Sequence, residues 1–344
     1  MKNIQMQTCQ IAMNSTIALM TFDEIHNLVR EDMKKVEDAL CSNFQSDALL
    51  IPTITSYLNG AGGKRLRPMF LVLSSKISGY FNGNRHILNS CVVELIHAAT
   101  LLHDDVVDEA FIRRGNPSAN RKWGNEASVL VGDFLFSKSF SLLALEGDSK
   151  IIRSVSSASK ELAEGEVLGL ATKGDFDISE DEYMDIIYKK TASLISVSCK
   201  IGAIIGNVSQ EKEKALTAFG LKVGIAFQLV DDVLDYIGNP EKFGKTIGLD
   251  FQRKKMTLPL IKLFQKASVK DKKKIQELVL SNNNLSDRLK TLVDMMKHYD
   301  SINYALDKAR NYVTEAKKEI VVFDESPFLV AISSLADYVI TRNI

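Results

Sequence analysis

Apolar residues recur every three or four positions along almost the whole chain, while the strict alternation typical of β-strands is almost absent. This period places the apolar side chains on one face of an α-helix, so the sequence predicts helix after helix. Several central segments are apolar nearly all round, as expected of helices surrounded by others in a bundle. The segments with this period are 22–43, 47–59, 66–79, 85–109, 125–145, 151–171, 180–206, 211–237, 256–266, 270–280, 285–298 and 301–321.

Short turns separate the helical segments. Gly and Pro gather between them, as at 59–63, 114–117 and 238–240, and such clusters are typical of turns and not of interdomain linkers. We therefore predict a single all-α domain over residues 21–344.

The N-terminal residues give a different signal. Residues 1–20 hold one Lys and no Arg, Asp or Glu, so we expect a poorly ordered extension and no secretory or transit peptide. Thr21 stands three residues before Glu24, the spacing of a capping box. The first helix is therefore expected to begin there.

The composition limits the class of partner. Lys+Arg 43 equals Asp+Glu 43, so bulk charge gives no reason to expect nucleic-acid binding, and any phosphate binding must be local. The four cysteines are scattered without CxxC spacing, which disfavours a zinc site or a disulfide framework and favours the cytoplasm. No continuous apolar run reaches about 18 residues, so any membrane contact is expected to be peripheral.

Two copies of one acidic signature interrupt the apolar segments. Carboxylates at positions i, i+1 and i+3 or i+4 of a helix are expected to project from one face and to repel each other unless cations neutralise them. An all-oxygen ligand set suits a hard ion such as Mg²⁺, which usually shares substrate phosphates. The signatures therefore predict a site where Mg²⁺ holds a diphosphate, with Asp104, Asp105, Asp108, Asp231, Asp232 and Asp235 as its ligands.

Basic residues flank the first signature. Lys64 and Arg67 follow a Gly-rich loop, whose flexible backbone can approach a ligand closely. Arg113 and Arg114 lie five and six residues beyond Asp108. A basic Gly-rich loop by itself is common at protein surfaces, but beside the acidic signature these cations are expected to meet phosphate oxygens.

Together these motifs resemble those of the trans-isoprenyl diphosphate synthases, most of all the long-chain, octaprenyl-type members. The resemblance covers about residues 22–344 and implies an isoprenoid-synthase-type helical bundle around a central cavity. It also implies a homodimer that condenses an allylic diphosphate, such as farnesyl diphosphate, with isopentenyl diphosphate. The matching stretches are 62–68, 101–105, 113–115, 132–134, 190–192, 227–232 and 244–246.

The resemblance implies roles for single residues. Asp104 and Asp108 would bridge two Mg²⁺ ions, and Asp231, with Asp235, would hold a third. Ionisation of a carbon–oxygen bond would follow, with released diphosphate as the base. The allylic diphosphate would contact Arg113, Lys190 and Lys245, and the isopentenyl diphosphate would contact Lys64, Arg67, His97 and Arg114. Lys255 would also bind substrate, and Thr191 and Gln228 would face the developing cation. Without the resemblance, His97 would be interpreted as a histidine satisfied within a buried helix.

One stretch departs from the family pattern. After the second signature the family usually runs Asp-Leu, two variable or acidic positions, then Gly-Lys. Here residues 250–255 read Asp-Phe-Gln-Arg-Lys-Lys, so Lys254 replaces the Gly while Lys255 still aligns. The geometry of this loop, and which lysine reaches phosphate, are open at this point.

Product length is expected to depend on residues one helical turn before Asp104. Ala99 and Thr100 stand there, and their side chains are expected to face the path of the growing hydrocarbon. Short-chain members of the family carry a bulky aromatic near this position. Ala99 therefore predicts an open path and a product of about eight isoprene units by resemblance.

Four alternatives are open. A shorter-chain farnesyl or geranylgeranyl diphosphate synthase would share the same motifs. A class I terpene cyclase would share the first signature but usually carries an Asn/Ser/Glu motif as the second. A noncatalytic subunit of a heteromeric synthase typically lacks some of these aspartates or the basic loop. A di-iron carboxylate bundle would use Glu-x-x-His pairs, and Glu94 with His97 matches one such pair, although no second pair is present.

Overall fold

The computed structural model describes residues 19–60, 62–238, 247–281 and 283–341. These residues form an α-helical bundle, with one antiparallel ribbon of two-residue strands, which confirms the all-α prediction. Residues 1–18, and Lys245 among the expected site residues, lie outside the described part of the chain. The helices are α1 Phe22–Leu28, α2 Arg30–Asn43, α3 Leu50–Gly60, α4 Leu66–Ile77, α5 Arg85–Val107, α6 Ala119–Trp123, α7 Asn125–Glu146, α8 Ser149–Ala171, α9 Glu180–Ile187, α10 Ser193–Ile205, α11 Gln210–Ile237, α12 Leu249–Gln252, α13 Leu258–Lys266, α14 Val269–Leu280, α15 Leu285–His298, α16 Ser301–Glu319 and α17 Pro327–Thr341.

Two helices lie between the two sides of the bundle. α4 and α10 pack against each other and contribute to two buried apolar groups, one on each side of them. On one side α5 packs along α7, and on the other α11 packs along α16. The first aspartate signature ends α5 and the second ends α11, so the fold carries both signatures on long, buried helices.

The start of the ordered chain agrees with the capping prediction. The Thr21 side chain accepts from the Glu24 backbone N–H at 3.3 Å, and the Glu24 carboxylate accepts from the Thr21 N–H at 2.8 Å. The segment expected to run unbroken from 22 to 43 is divided at Val29, whose φ of −115° departs from helical geometry. α17 was not predicted, although its buried residues Ala331, Leu335 and Val339 recur every four positions.

A π-helix, Tyr188–Ala192, interrupts the segment expected to be one helix from 180 to 206. A Cβ at Gly165 of α8 would lie 2.7 Å from the Lys190 backbone nitrogen, so only glycine admits this close approach. Single π-turns within helices often occur at functional sites. This one carries two residues expected in the site, Lys190 and Thr191.

One helix among the described residues, α7, is long and apolar enough to cross a membrane by length and composition, with a mean hydropathy of 1.5 over its most apolar window. The core helix of a soluble protein can pass the same test. α7 lies along α5 in the bundle, and 39% of that window is buried. Its outer face exposes apolar side chains, including Leu130 and Leu145.

Candidate active site

The first signature lies at the C-terminal end of α5, where Asp104 and Asp108 share one face. Asp108 ends the helix and is mostly buried, with 13% of its side chain exposed. Burial opposes its ionisation, but the cations Lys255 and Arg253 outweigh this effect and lower the pKa of the Asp108 carboxyl. Asp104 lies 3.9 Å from Lys190 Nζ, so both carboxylates are in contact with cationic groups. Such contacts offset the cost of burying an anionic cluster.

Asp105 does not converge with the other two aspartates, contrary to the sequence-based expectation. Successive helical residues are about 100° apart, so Asp105 turns into the core, where it is 1% exposed. Both of its oxygens accept from Arg113 Nε, at 2.8 and 2.9 Å. Asp105 is thus positioned to orient Arg113 and not to share a metal ion with Asp104 and Asp108.

Arg113 ends a short strand, and Arg114 begins the tight turn that follows it. The strands β1 Ile112–Arg113 and β2 Asn116–Pro117 pair antiparallel across a turn in which Arg114 and Gly115 have φ of 51° and 78°. Two central residues with positive φ match a type I′ hairpin, and the non-glycine among them is strained. The turn sends Arg113 to Asp105 and Arg114 to the Gly-rich loop, so two consecutive arginines serve different sides of the site.

The second signature likewise divides its three carboxylates. Asp232 is 4% exposed and accepts from Tyr183 Oη at 2.5 Å and Gln228 Nε2 at 2.6 Å, so its carboxylate is held inside the protein by other side chains, contrary to its expected place among the metal ligands. Asp235 accepts from the backbone N–H groups of Leu249 and Asp250, at 3.2 and 2.9 Å. This places the first turn of α12 directly against the signature.

The second signature carries excess negative charge. Burial, and then the nearby Asp250 carboxylate, raise the pKa of Asp232 to about 8 and that of Asp235 to about 7. A hard divalent cation would relieve the repulsion between the Asp235 and Asp250 carboxylates. Within the described residues, no three His, Cys, Asp or Glu side chains meet closely enough to hold a metal alone. The donor set therefore fits an ion that completes its shell with water and substrate phosphates, as Mg²⁺ usually does.

A chain of hydrogen bonds connects the π-helix to the second signature. Thr191 Oγ1 donates to Gln228 Oε1 at 2.7 Å, and the Gln228 amide in turn donates to Asp232. Tyr183 terminates the chain on the other side of Asp232. The structure thus brings Thr191 and Gln228 together, as expected, and adds Tyr183, which no local pattern in the sequence marks.

Lys190 projects from the π-helix toward the first signature. Its Nζ lies 2.5 Å from Glu166 and 3.9 Å from Asp104. Burial, and then Asp104, raise the pKa of Glu166, while Lys190 opposes that rise. Glu166, which the sequence analysis missed, therefore holds Lys190 beside Asp104.

The Gly-rich loop and α5 enclose a second basic cluster, formed by Arg67, His97 and Arg114. Arg67 is half-buried, and its enclosed Nε has no hydrogen-bond partner among the described residues. Burial lowers the pKa of Arg67, Glu94 opposes that effect, and Arg114 adds a smaller repulsion. Burial, and then Arg67 and Arg114, hold the pKa of His97 well below its usual value, so the ring is neutral. A Cβ at Gly63 would lie 3.1 Å from Arg114 Nη1, which explains the glycine.

The single Glu-x-x-His pair belongs to this basic cluster. Glu94 pairs with Arg65 at 2.7 Å, and Arg65 also pairs with Glu37 at 2.6 Å. Glu94 is therefore engaged by a cation, and the described residues contain no carboxylate cluster for a di-iron centre. Lys64, the remaining basic residue of the loop, is exposed and contacts the hydroxyl and ring of Tyr338 on α17.

The structure resolves the question left open at residues 250–255. Lys254 has a φ of 59°, a left-handed conformation that glycine adopts most easily, which is why glycine is usual there. Lys255 Nζ reaches Asp250 at 3.1 Å and Asp108 at 3.3 Å. Burial favours its neutral form, but Asp250 and Asp108 raise the pKa of Lys255 far above its usual value. Lys255 is therefore the lysine that enters the site.

The two residues expected to influence product length differ in their surroundings. Thr100 lies one turn before Asp104 on the same face, and its hydroxyl donates to the His97 carbonyl at 2.8 Å. Ala99 is completely buried in the apolar group around α5 and α7. Whether the hydrocarbon passes Ala99 stays a prediction.

Sequence comparison assigns the chain to a family. Residues 49–296 match the family model for polyprenyl synthetase. The octaprenyl diphosphate synthase of Haemophilus influenzae is 39% identical over 325 residues, covering 94% of this chain and 98% of that protein.

Two solved structures extend the likeness to the fold. A polyprenyl synthase from Caulobacter crescentus, complexed with calcium and isoprenyl diphosphate, has a TM-score of 0.90 at 35% identity, with 94% of this chain and 98% of that chain covered. A decaprenyl diphosphate synthase from Rhodobacter capsulatus has a TM-score of 0.88 at 36% identity, with 94% and 100% covered. The chain therefore belongs to the polyprenyl synthetase family.

Proposed function

We propose that this chain condenses an allylic diphosphate, such as farnesyl diphosphate, with successive isopentenyl diphosphates to give a long-chain all-trans polyprenyl diphosphate. The chain is a prenyltransferase of the trans-polyprenyl diphosphate synthase type. The observation that carries the two-substrate proposal is the presence of two separate cationic clusters. One, with Lys190 and Lys255, faces the carboxylates of Asp104 and Asp108. The other is the buried cluster of Arg67, His97 and Arg114.

We assign the allylic diphosphate to the first cluster. Mg²⁺, with three ions as the expected number, would be held by Asp104, Asp108, Asp231 and Asp235, and it would polarise the departing diphosphate. Asp105 and Asp232 are left out of this set because both are buried in bonds to other side chains. A calcium ion and isoprenyl diphosphate in the Caulobacter crescentus relative support a divalent cation beside a diphosphate.

Side chains of this chain would stabilise the charges that develop as the carbon–oxygen bond breaks. Arg113, oriented by Asp105, Lys190, held by Glu166, and Lys255 are cations on the diphosphate side. The Thr191 and Gln228 oxygens lie beside the second signature, where they can face an allylic cation. Preorganised groups of this kind are usually the largest contribution to such a rate enhancement.

We assign isopentenyl diphosphate to the second cluster. Arg67 and Arg114 are partly buried cations that disfavour a proton on His97, with Glu94 as a nearby carboxylate that is itself bound to Arg65. An anion would supply the missing partner for the Arg67 Nε donor. Neutral His97 can donate one hydrogen bond without adding a further charge.

The direct test is to incubate the purified protein with Mg²⁺, isopentenyl diphosphate and farnesyl diphosphate and to resolve the products by mass spectrometry. We expect extension by five units to a product of about eight isoprene units, by resemblance to the octaprenyl relatives. Accumulation of geranylgeranyl diphosphate would favour the shorter-chain alternative. Absence of any extension would favour the noncatalytic-subunit alternative.

Replacing Ala99 with tyrosine is expected to shorten the product by several isoprene units. The added ring would extend from α5 one turn before Asp104 and obstruct the hydrocarbon path. Mass spectrometry of the products, with thermal unfolding as the control, tests this. If Ala99 instead packs in a closed core, the ring causes overpacking that costs about 1–3 kcal/mol. An unchanged product ladder from a folded variant would contradict the proposal.

We propose a homodimer in the cytoplasm, with the outer face of α7 as the contact between copies. Val129, Leu130 and Leu145 are exposed apolar side chains on the solvent side of that helix, and exposed apolar side chains can contribute to an interaction site. Sedimentation-equilibrium measurement of wild type and Leu130→Lys tests this, because the lysine should produce monomers. A monomeric wild type would exclude the dimer.

A further inference from the structure

Three cationic side chains converge on the single carboxylate of Asp108. Arg253 Nη1 and Lys255 Nζ lie 3.1 and 3.3 Å from Oδ2, and Lys173 Nζ lies 3.8 Å from Oδ1. Lys173 follows α8, Arg253 ends α12 and Lys255 lies in the next loop, so separate parts of the chain supply them. One cation is enough to neutralise the charge of the Asp108 carboxylate. The presence of two further cations therefore requires a different explanation.

The cations gather on one side of Asp108. Asp250 pairs with Lys255 at 3.1 Å, whereas the carboxylates of Asp104 and Glu166 lie beside Lys190. The three cations are therefore concentrated around Asp108 and Asp250. The side chains of Lys173, Arg253 and Lys255 are 22–30% exposed, so solvent screens them only in part. An added anion is the natural complement of such a cluster.

Arg253 has donors to spare. Among the described residues, the only hydrogen bond of its side chain is the one from Nη1 to Asp108. A guanidinium carries five N–H groups in a planar fork that fits two phosphate oxygens at once. The guanidinium lies beside Asp108, which Lys255 also contacts, and this is where we have assigned the allylic diphosphate.

Arg253 is also a particular feature of this chain. In the family pattern its position is one of the two variable or acidic positions before Gly-Lys, whereas here it is basic. An acidic side chain there would repel Asp108, but Arg253 attracts it. The extra cation therefore changes the charge of the diphosphate side of the site.

We propose that Arg253 binds the diphosphate of the allylic substrate together with Lys255, and that Asp108 holds its guanidinium until that diphosphate arrives. A diphosphate carries more charge than a carboxylate and accepts two N–H groups of one guanidinium, so it is the stronger partner. Lys173, together with the Mg²⁺ proposed at Asp108, would neutralise that carboxylate after Arg253 turns. This inference rests on the proposed function, because it assumes a diphosphate substrate.

The test compares Arg253→Gln with Lys254→Gln. Lys254 is the adjacent cation, and no ion pair or hydrogen bond of its side chain is found in the described part of the chain, so it is a matched control. KM is measured separately for farnesyl diphosphate and isopentenyl diphosphate at saturating Mg²⁺. In addition, isothermal titration calorimetry measures the binding of inorganic diphosphate with Mg²⁺, a readout that does not depend on turnover.

For Arg253→Gln we expect an increase of about tenfold in KM for farnesyl diphosphate, and a similar loss of inorganic diphosphate affinity. KM for isopentenyl diphosphate should change less than about twofold, and Lys254→Gln should match wild type. Arg253→Lys, which keeps the charge, should recover part of the affinity and serves as the test variant if the glutamine variant does not fold.

Unchanged diphosphate affinity in Arg253→Gln would overturn the proposal and leave Arg253 as a counter-ion of Asp108. An equal rise in both KM values would also overturn it, because a structural disturbance would affect both substrates. If wild type bound inorganic diphosphate but extended no chain, the proposed function would fail while the calorimetric comparison still decided the role of Arg253.

Discussion

Replacing Asp104 with alanine is expected to lower kcat roughly a thousandfold while leaving the fold intact, by analogy with the loss of a transition-state electrostatic contact. Asp104 lies one turn before Asp108 on the exposed side of α5, beside Lys190 and Glu166. Loss of its carboxylate removes a proposed metal ligand. Lys190 then keeps its ion pair with Glu166 but loses the contact with Asp104. Initial rates of chain extension across a range of Mg²⁺ concentrations measure the effect.

Two further variants make this result specific. Asp307→Ala removes an exposed aspartate of α16 and should retain wild-type activity. Asp105→Asn should instead destabilise the protein by about 3 kcal/mol, because it leaves Arg113 without its buried partner. Its Mg²⁺ dependence should stay near that of wild type. Extension by Asp104→Ala at the wild-type rate would exclude the proposed metal site.

Replacing Arg67 with methionine is expected to stabilise the protein while it raises KM for isopentenyl diphosphate roughly a hundredfold. Burial disfavours the charge on Arg67, Arg114 adds a repulsion that Glu94 opposes, and the Nε donor has no partner in the described part of the chain. A methionine of similar length removes an unsatisfied donor and a repelling charge, which can stabilise by about 1–2 kcal/mol. The loss of affinity follows from removing charge-assisted hydrogen bonds to the diphosphate.

Arg65→Met provides the matched control, since Arg65 stands two residues away but has its charge neutralised. Arg65 pairs with Glu37 and Glu94, so its loss should destabilise the protein. Opposite shifts of the free energy of unfolding in the two variants, measured by urea denaturation, are therefore expected. A destabilised Arg67→Met with unchanged KM would mean that Arg67 serves the fold and not the substrate.

We expect opposite shifts in the free energy of unfolding for Arg65→Met and Arg67→Met because Arg67 serves substrate binding at the expense of stability. A cluster such as Arg67, Arg114 and neutral His97 is costly in the free protein because its charges repel each other. The same cost makes the cluster a stronger binding site for an anion, since binding relieves the repulsion. Groups with strongly shifted pKa values concentrate at functional sites for this reason.

Residue type and spacing were enough to predict the fold class and the main groups of the site. Helical period is a local property, so α5 and α11 could be predicted without tertiary information. α17 was missed, although its buried face repeats every four residues and could be read in the same way. The two acidic signatures and the basic loop could be found because each lies within a few consecutive residues.

Which carboxylates face the site was decided by packing. Helical geometry brings Asp104 and Asp108 to one face. That Asp105 is buried in an ion pair is visible only from the position of Arg113, which lies in the first strand of the hairpin. The same holds for Asp232, whose partner Tyr183 is 49 residues away in sequence. The π-helix that aims Lys190 likewise depends on contact with Gly165 on another helix.

The sequence by itself determined that this is an all-α protein with two acidic signatures and a basic loop, because periodicity and local charge are properties of neighbouring residues. Only the tertiary structure decided that Asp105 and Asp232 are anchors, that Lys255 enters the site in preference to Lys254, and that Arg253 meets Asp108. The last contact joins residues 145 positions apart. Electrostatic interactions act through distance in space, and that distance exists only after the chain has folded.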